Sequence, residues 1–64
     1  MTSITFSFEV PPHSQAIVEV LSNNVVYGVA EFTNNTNRTK LFNYTFNIPN
    51  GVVIDEVRTT IVPL

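Results

Sequence analysis

Apolar and polar residues alternate along the first part of the chain. From residue 4 to residue 10 every second position is Ile, Phe or Val, and the positions between them carry Thr, Ser or Glu. A period of two is typical of a β-strand with one buried face. Four further runs are rich in β-branched and aromatic residues, and no segment shows the 3.6-residue repeat of an amphipathic helix. The pattern predicts five strands, at about residues 3–10, 15–22, 25–33, 39–48 and 52–62.

Short polar segments predict how these strands connect. Pro11-Pro12-His13-Ser14 must interrupt strand pairing because proline lacks an N–H, so we expect a corner at which the chain crosses between sheets. Asn23-Asn24 tolerates positive φ and predicts a hairpin between the second and third strands. Pro49-Asn50-Gly51 predicts a second hairpin, between the fourth and fifth strands. The stretch from Thr33 to Arg38 has no large apolar residue and is predicted to be the longest loop.

The expected fold is all-β, a small antiparallel sandwich or partly open barrel of about five strands, in a single β domain over residues 1–64. A chain of this length buries only about 60% of the surface that it exposes when unfolded. Small domains usually compensate with disulfides, a metal or association. Because the chain has no cysteine and one histidine, association is the favoured route.

Several runs carry apolar residues on both faces, more than a short chain can cover by itself. One side of the fourth strand, which carries Phe42, Tyr44, Phe46 and Ile48, is predicted to be core. The third and fifth strands have no clean polar face, and the sequence ends in the apolar segment Val62-Pro63-Leu64, which we expect to be docked. Strands of this kind are central or form a contact between subunits. The candidate interface residues are therefore Val26, Ala30, Phe32, Val52, Ile54, Val62 and Leu64.

The charge pattern excludes some classes of partner. Charged residues make up 12% of the chain and the net charge is −2, so no basic field exists to hold nucleic acid. No cationic and apolar leader pattern follows Met1, and no apolar run approaches the ~20 residues of a transmembrane helix. We therefore expect neither a signal peptide nor a transmembrane segment.

Three Asn-x-Ser/Thr triplets, at Asn34, Asn37 and Asn43, arise easily in a chain this rich in Asn and Thr, and we do not expect them to be glycosylated.

No arrangement of residues indicates catalysis. His13 is the only histidine, and Ser14 beside it does not form a nucleophile and base. Glu9, Glu19 and Glu31 each lie in a predicted strand, but a domain this small rarely supplies the cleft that paired carboxylates need. We expect no catalytic residues, no cofactor and no metal site, and the protein is not expected to be an enzyme.

The leading hypothesis is a non-enzymatic structural or interaction subunit of a homo-oligomer or larger assembly. A virion or phage decoration protein is one example of this class, and a virion or extracellular assembly is compatible with the composition. The alternative is a small carbohydrate- or peptide-binding β module, whose candidate ligand contacts are Tyr27, Tyr44 and Asn35. The two hypotheses differ in whether the exposed surface contacts protein subunits or a small ligand.

A further alternative comes from a resemblance. The segment from Phe8 to Ser14, followed by Ala16 to Val20, resembles the strand, proline-containing turn and strand of aerolysin-like β-pore-forming toxins. The resemblance implies a fragment or reduced relative of such a protein, because 64 residues do not hold both its receptor-binding and pore-forming parts. We keep it as the second alternative.

Overall fold

The computed structural model describes all residues from 1 to 64 and contains five β-strands and no helix. The strands are β1 (Thr2–Val10), β2 (Ser14–Ser22), β3 (Val25–Asn34), β4 (Lys40–Ile48) and β5 (Glu56–Pro63). β1 and β4 form a two-stranded antiparallel sheet, here called the upper sheet. The lower sheet is antiparallel, with the order β3-β2-β5. No strand pairing joins the two sheets, so the fold is an open sandwich and not a closed barrel.

The corner and the first hairpin are confirmed. β1 and β2 lie in different sheets, and the chain crosses between them at Pro11-Pro12-His13. Asn23 and Asn24 have φ values of 50° and 64°, as a two-residue hairpin with positive φ at both positions requires. β2 and β3 pair on either side of this turn.

The predicted hairpin between the fourth and fifth strands is wrong. Pro49-Asn50-Gly51 does form a turn, with Gly51 at φ 86°, but β4 pairs with β1 and β5 pairs with β2. The chain instead crosses to the lower sheet over residues 52–55, where Val52 and Ile54 pack against the core. Burial of these two side chains favours a crossing over a hairpin, and β5 therefore begins at Glu56 instead of residue 52.

The longest connection is thus residues 49–55, and not the predicted loop at Thr33 to Arg38. The shorter loop, residues 35–39, is organised by Asn34, which is completely buried. Its Nδ2 donates to the carbonyl oxygens of Val10, Pro11 and Arg38 at 3.0, 3.1 and 2.7 Å. Its Oδ1 accepts from the N–H and the hydroxyl of Thr36. One amide side chain therefore fastens the loop to the corner after β1.

The core lies between the sheets and combines aromatic residues above with small ones below. Of the four residues of β4 predicted to be core, Phe46 and Ile48 are buried, Phe42 is half-buried and Tyr44 is exposed. The facing surface of β2 is supplied by Ala16, Val18 and Val20. Phe rings from β1, β3 and β4 contact one another with centroid separations of 5.2 to 6.0 Å. Burial of this cluster is the main driving force available to a chain without disulfides.

The two sheets are not in register laterally. β4 packs over β3, and β1 packs over β2 and β3. β5 lies on the far side of β2, and all eight of its residues are exposed. The lower sheet therefore projects beyond the upper sheet by one strand, and this offset leaves a groove beside the free edge of β1.

Candidate functional site

The most distinctive surface is a groove between the free edge of β1 and the segment that leads into β5. The cavity within it has a volume of about 440 Å³, and six of its eight lining residues are apolar. We call it the β1–β5 groove and define it by Ile4, Phe6, Val52, Val53, Ile54, Asp55, Glu56 and Val57. It occupies the place where a third strand of the upper sheet would lie.

The upper wall of the groove is a strand edge without protection. β1 pairs only with β4, so alternate residues of β1 direct their N–H and C=O groups toward the groove. From Thr2 to Phe8 the strand contains no charged residue, proline or glycine. Free edges are normally blocked by lysine, proline, bulges or a covering segment. β1 lacks the first three devices over this stretch.

The floor of the groove continues along β5 as an uncovered apolar face. Val57 and Ile61 lie opposite Val20 and Ala16 of β2 and so point to the inner side of the lower sheet. Both retain 40% or more of their exposure, because no strand of the upper sheet packs above them. If a third strand of the upper sheet lay above them, both residues would belong to the core.

The charge at the groove is concentrated at one end. Asp55 accepts a hydrogen bond from the N–H of Asn23 at 3.0 Å and forms no ion pair. Glu56 is already neutralised by Arg58, 3.1 Å away. The end of the groove near Ile4 therefore carries one uncompensated negative charge, while the remainder is uncharged.

The structure places some of the candidate interface residues in the core and the others in the groove or on the exposed surface. Ala30 and Phe32 are buried in the chain's own core, at 7% and 8% exposure, so their selection as contact residues is corrected. Sequence alone assigned the wrong face of β3 to the surface, since β4 covers the face that carries these two residues. Val52 and Ile54 are half-buried in the groove, and Val26, Val62 and Leu64 are exposed.

The groove residues of β5 were not selected from the sequence, although a signal was present. Val53, Val57 and Ile61 share one alternation face of the predicted fifth strand. Choosing between this face and the one with Val62 requires knowing that β5 pairs with β2. The C-terminal segment is docked through its backbone, since the Leu64 N–H donates to the His13 carbonyl, but the Leu64 side chain remains exposed.

The candidate ligand contacts do not converge. Tyr27 is the unpaired extra residue of the bulge in β3 and lines a second cavity of about 370 Å³, together with Ser22, Asn23 and Asp55. Tyr44 lies on β4, where its ring packs edge-on against Phe46 with a centroid separation of 4.8 Å. Asn35 lies in the loop after β3 and is exposed. Only Tyr27 is part of a concave surface.

The outer face of the upper sheet is an uncharged polar ladder, defined by three pairs of side chains across β1 and β4. Ser3 donates to Asn47 at 3.0 Å and Ser7 donates to Asn43 at 2.7 Å. Between these pairs the hydroxyls of Thr5 and Thr45 are 2.8 Å apart. Because the side chains hydrogen-bond one another, much of their capacity to bind a ligand is already used.

The titratable residues are dispersed over the surface. His13 occupies the corner with φ 50°, and no three His, Asp or Glu side chains approach one another as a metal site requires. Glu19 lies opposite Arg58 on the outer face of the lower sheet, while Glu31 lies opposite Ile17. The expectation that the chain has no catalytic, cofactor or metal site stays a prediction. No helix of the structure has the length and hydrophobicity to cross a membrane.

Comparison with known proteins gives no relative from which a function could be transferred. No protein-family model matches the chain, and no curated protein or solved structure is significantly similar to it. The resemblance to aerolysin-like toxins gains no support from these comparisons.

Proposed function

We propose that the protein is a non-enzymatic structural or interaction subunit that works within a homo-oligomer or larger protein assembly. The observation that carries this proposal is the uncovered apolar face of β5, where Val57 and Ile61 occupy core positions without a covering layer. An exposed apolar surface of this kind typically marks a contact with another molecule. A virion shell or an extracellular array is a setting in which such a subunit would operate.

Copies of the chain have a direct way to associate. β5 pairs on one side only, so its other edge is free to pair antiparallel with β5 of a second copy around a two-fold axis. Pairing would join two three-stranded sheets into a six-stranded sheet and remove both β5 edges from solvent. Glu56 and Arg58 provide opposite charges along this edge.

Light scattering coupled to size exclusion tests the proposal over a hundredfold range of concentration. We expect a fixed multiple of the 7.2 kDa chain mass. Because the N–H groups of successive residues point to opposite edges of a strand, one of the two variants Thr59→Pro and Thr60→Pro removes an N–H from the free edge of β5. That variant should shift the mass toward that of the monomer, because proline has no N–H to donate along this edge. A matched substitution, Val53→Pro, lies in the connection outside the strand and should not. A monodisperse monomer at every concentration would overturn the homo-oligomer.

The second cavity favours one alternative, a carbohydrate-binding module. Tyr27 presents an aromatic side chain beside the amide of Asn23 and the carboxylate of Asp55, and this combination suits a sugar ring with its hydroxyl groups. The chain has two tyrosines and no tryptophan, so tyrosine fluorescence can report binding from a panel of glycans. A response should disappear in Tyr27→Ala and persist in Tyr44→Ala. No response across the panel would contradict this alternative.

A further inference from the structure

We propose that the β1–β5 groove is a receptor site for an extended peptide segment of another protein, which adds to β1 as the third strand of the upper sheet. This inference rests on the proposed function and names the partner's chemistry. The segment would pair with the free edge of β1 and lay alternate apolar side chains over Val57 and Ile61. The sandwich would then have three strands in each sheet.

The groove presents backbone hydrogen-bonding groups as well as an apolar surface, so a matching ligand needs both backbone polar groups and apolar side chains. Its wall is the β1 edge, whose N–H and C=O groups have no partner on this side, and its floor is apolar. A lipid or small hydrocarbon would fill the floor but leave these polar groups uncompensated. A β-strand satisfies both, since main-chain hydrogen bonds supply affinity and alternate side chains enter the apolar floor.

A second folded copy cannot provide that strand through its own β1. Two antiparallel β1 edges are related by a two-fold axis perpendicular to the sheet, with the strands about 4.8 Å apart. Because β5 projects beyond β1 in the lower sheet, the same rotation would place β5 of the copy among the strands of that sheet. The projecting strand thus excludes edge-to-edge pairing of β1 with itself and leaves room for a single extended chain.

The charge of the groove and the direction of strand pairing further restrict the sequence of the partner segment. Antiparallel pairing is the more stable arrangement, so the C-terminal end of the segment would lie beside Thr2 and Ile4. Asp55 provides an uncompensated carboxylate at this end. The expected ligand is a segment with apolar residues at alternate positions, no acidic residue, and a lysine or arginine at its C-terminal end.

A designed peptide can test the strand geometry. The probe alternates threonine with valine over eight residues, ends in lysine, and is capped by acetyl and amide groups. Calorimetry measures its affinity. We expect binding to perturb the amide NMR signals of β1 and β5 and not those of β3.

Two methylated variants of the peptide test which N–H groups pair with β1. In one variant the backbone N–H groups of the odd-numbered residues are methylated, and in the other those of the even-numbered residues. One variant should lose at least about tenfold in affinity, because its methyl groups remove the donors that face β1, while the other should bind as the parent does.

Protein variants locate the site. Val57→Glu on the groove floor should weaken binding at least about tenfold, whereas Val62→Glu, on the opposite face of β5, should leave it unchanged. Asp55→Asn keeps the acceptor for Asn23 and should abolish the preference for a C-terminal lysine over glutamate. Equal affinity of the two methylated peptides would overturn strand addition and indicate apolar binding only. No binding at all would also overturn it.

The two proposals can fail separately. If the mass in solution is a fixed multiple of the chain mass and the peptide does not bind, the homo-oligomer is supported and the receptor site is overturned. A chain that remains monomeric and binds the peptide with the expected parity would overturn the homo-oligomer and support the receptor site. The mass is read without peptide, and the affinity is read at a concentration where the mass is known.

Discussion

Gly28 on β3 lies so close to Phe46 on β4 that a methyl group added to the glycine would be 2.6 Å from Cδ1 of the ring. The same methyl group would be 3.1 Å from a methyl carbon of Val20. The absence of a side chain at Gly28 therefore permits the upper sheet to approach the lower sheet at this point. Phe46 fills the space that the glycine leaves and is buried as a result.

Gly28→Ala is expected to destabilise the protein by about 1 to 3 kcal/mol, since the added carbon overpacks a position with no free volume. Chemical denaturation followed by circular dichroism measures the change. Phe46→Leu in the same chain should recover part of the loss by making room for the methyl group, so the two substitutions should be less than additive. Val29→Thr, on the outward face of the same strand, is the control and should change stability by about 0.5 kcal/mol or less. A stable Gly28→Ala variant would contradict the close approach of the sheets.

Asn34→Asp should be among the most destabilising single changes. The carboxylate keeps the shape of the side chain but replaces a donor facing three carbonyl oxygens with an acceptor. Leaving buried polar groups unsatisfied costs about 1 to 3 kcal/mol for each group, and more for a charged one. Asn35→Asp, at the exposed neighbouring position, should be nearly neutral. Thermal unfolding of the two variants compares them, and equal melting temperatures would contradict the bridging role of Asn34.

Much of the fold was predictable because the signals for strands and turns lie in short segments of the sequence. Alternation from Ile4 to Val10, the prolines after it and the Asn23-Asn24 turn depend on residues that are close in sequence. That β4 and β5 do not pair with each other was not predictable in this way. Pro49-Asn50-Gly51 can turn the chain in either context, and the burial of Val52 and Ile54 against distant strands decides between a hairpin and a crossing.

The site was less predictable than the fold. Both faces of β3 and β5 are apolar enough to be core, so assigning Phe32 or Val57 to the inside or outside depends on which strand packs above each. Phe32 is covered by β4, while Val57 is left uncovered by the lateral offset of the sheets. Offset is a property of the whole sandwich and leaves no mark in a local pattern. The role of Asn34 was missed because two of the carbonyl oxygens that accept its hydrogen bonds, those of Val10 and Pro11, lie far from it in sequence.

The Asn23-Asn24 hairpin provides a test of backbone conformation. Asn24 has φ 64°, a left-handed conformation that costs a residue with an ordinary side chain about 1 to 2 kcal/mol. Asn24→Ala should therefore lower the free energy of unfolding by about 1 kcal/mol relative to Asn24→Gly. At Asn35, which does not have positive φ, the alanine variant should instead be the more stable, because glycine gains entropy in the unfolded chain. The same order at both sites would contradict the hairpin geometry.

The polar ladder on the outer face should contribute through pairs of side chains. A double-mutant cycle with Thr5→Ala and Thr45→Ala is expected to give a coupling energy of about 0.2 to 1 kcal/mol, the usual value for directly opposed residues. Thr5→Ala combined with Thr60→Ala, on the other sheet, should be additive, since these residues share no contact. Urea denaturation of the six proteins supplies the energies. A coupling of zero between Thr5 and Thr45 would mean that their hydroxyls bond to water in solution.

Amide hydrogen exchange should rank the strands by the number of neighbours that each has. β2 is the only strand paired on both sides, so its amides should exchange only through global unfolding and be the slowest. Along β1, residues that donate to β4 should be protected, while the alternating residues whose N–H groups face the groove should exchange rapidly. Addition of the alternating valine peptide should slow this second set and leave the free edge of β3 unchanged. Protection of every β1 amide in the protein alone would show that the edge is already occupied, and the groove would then be an interface between copies instead of an open receptor site.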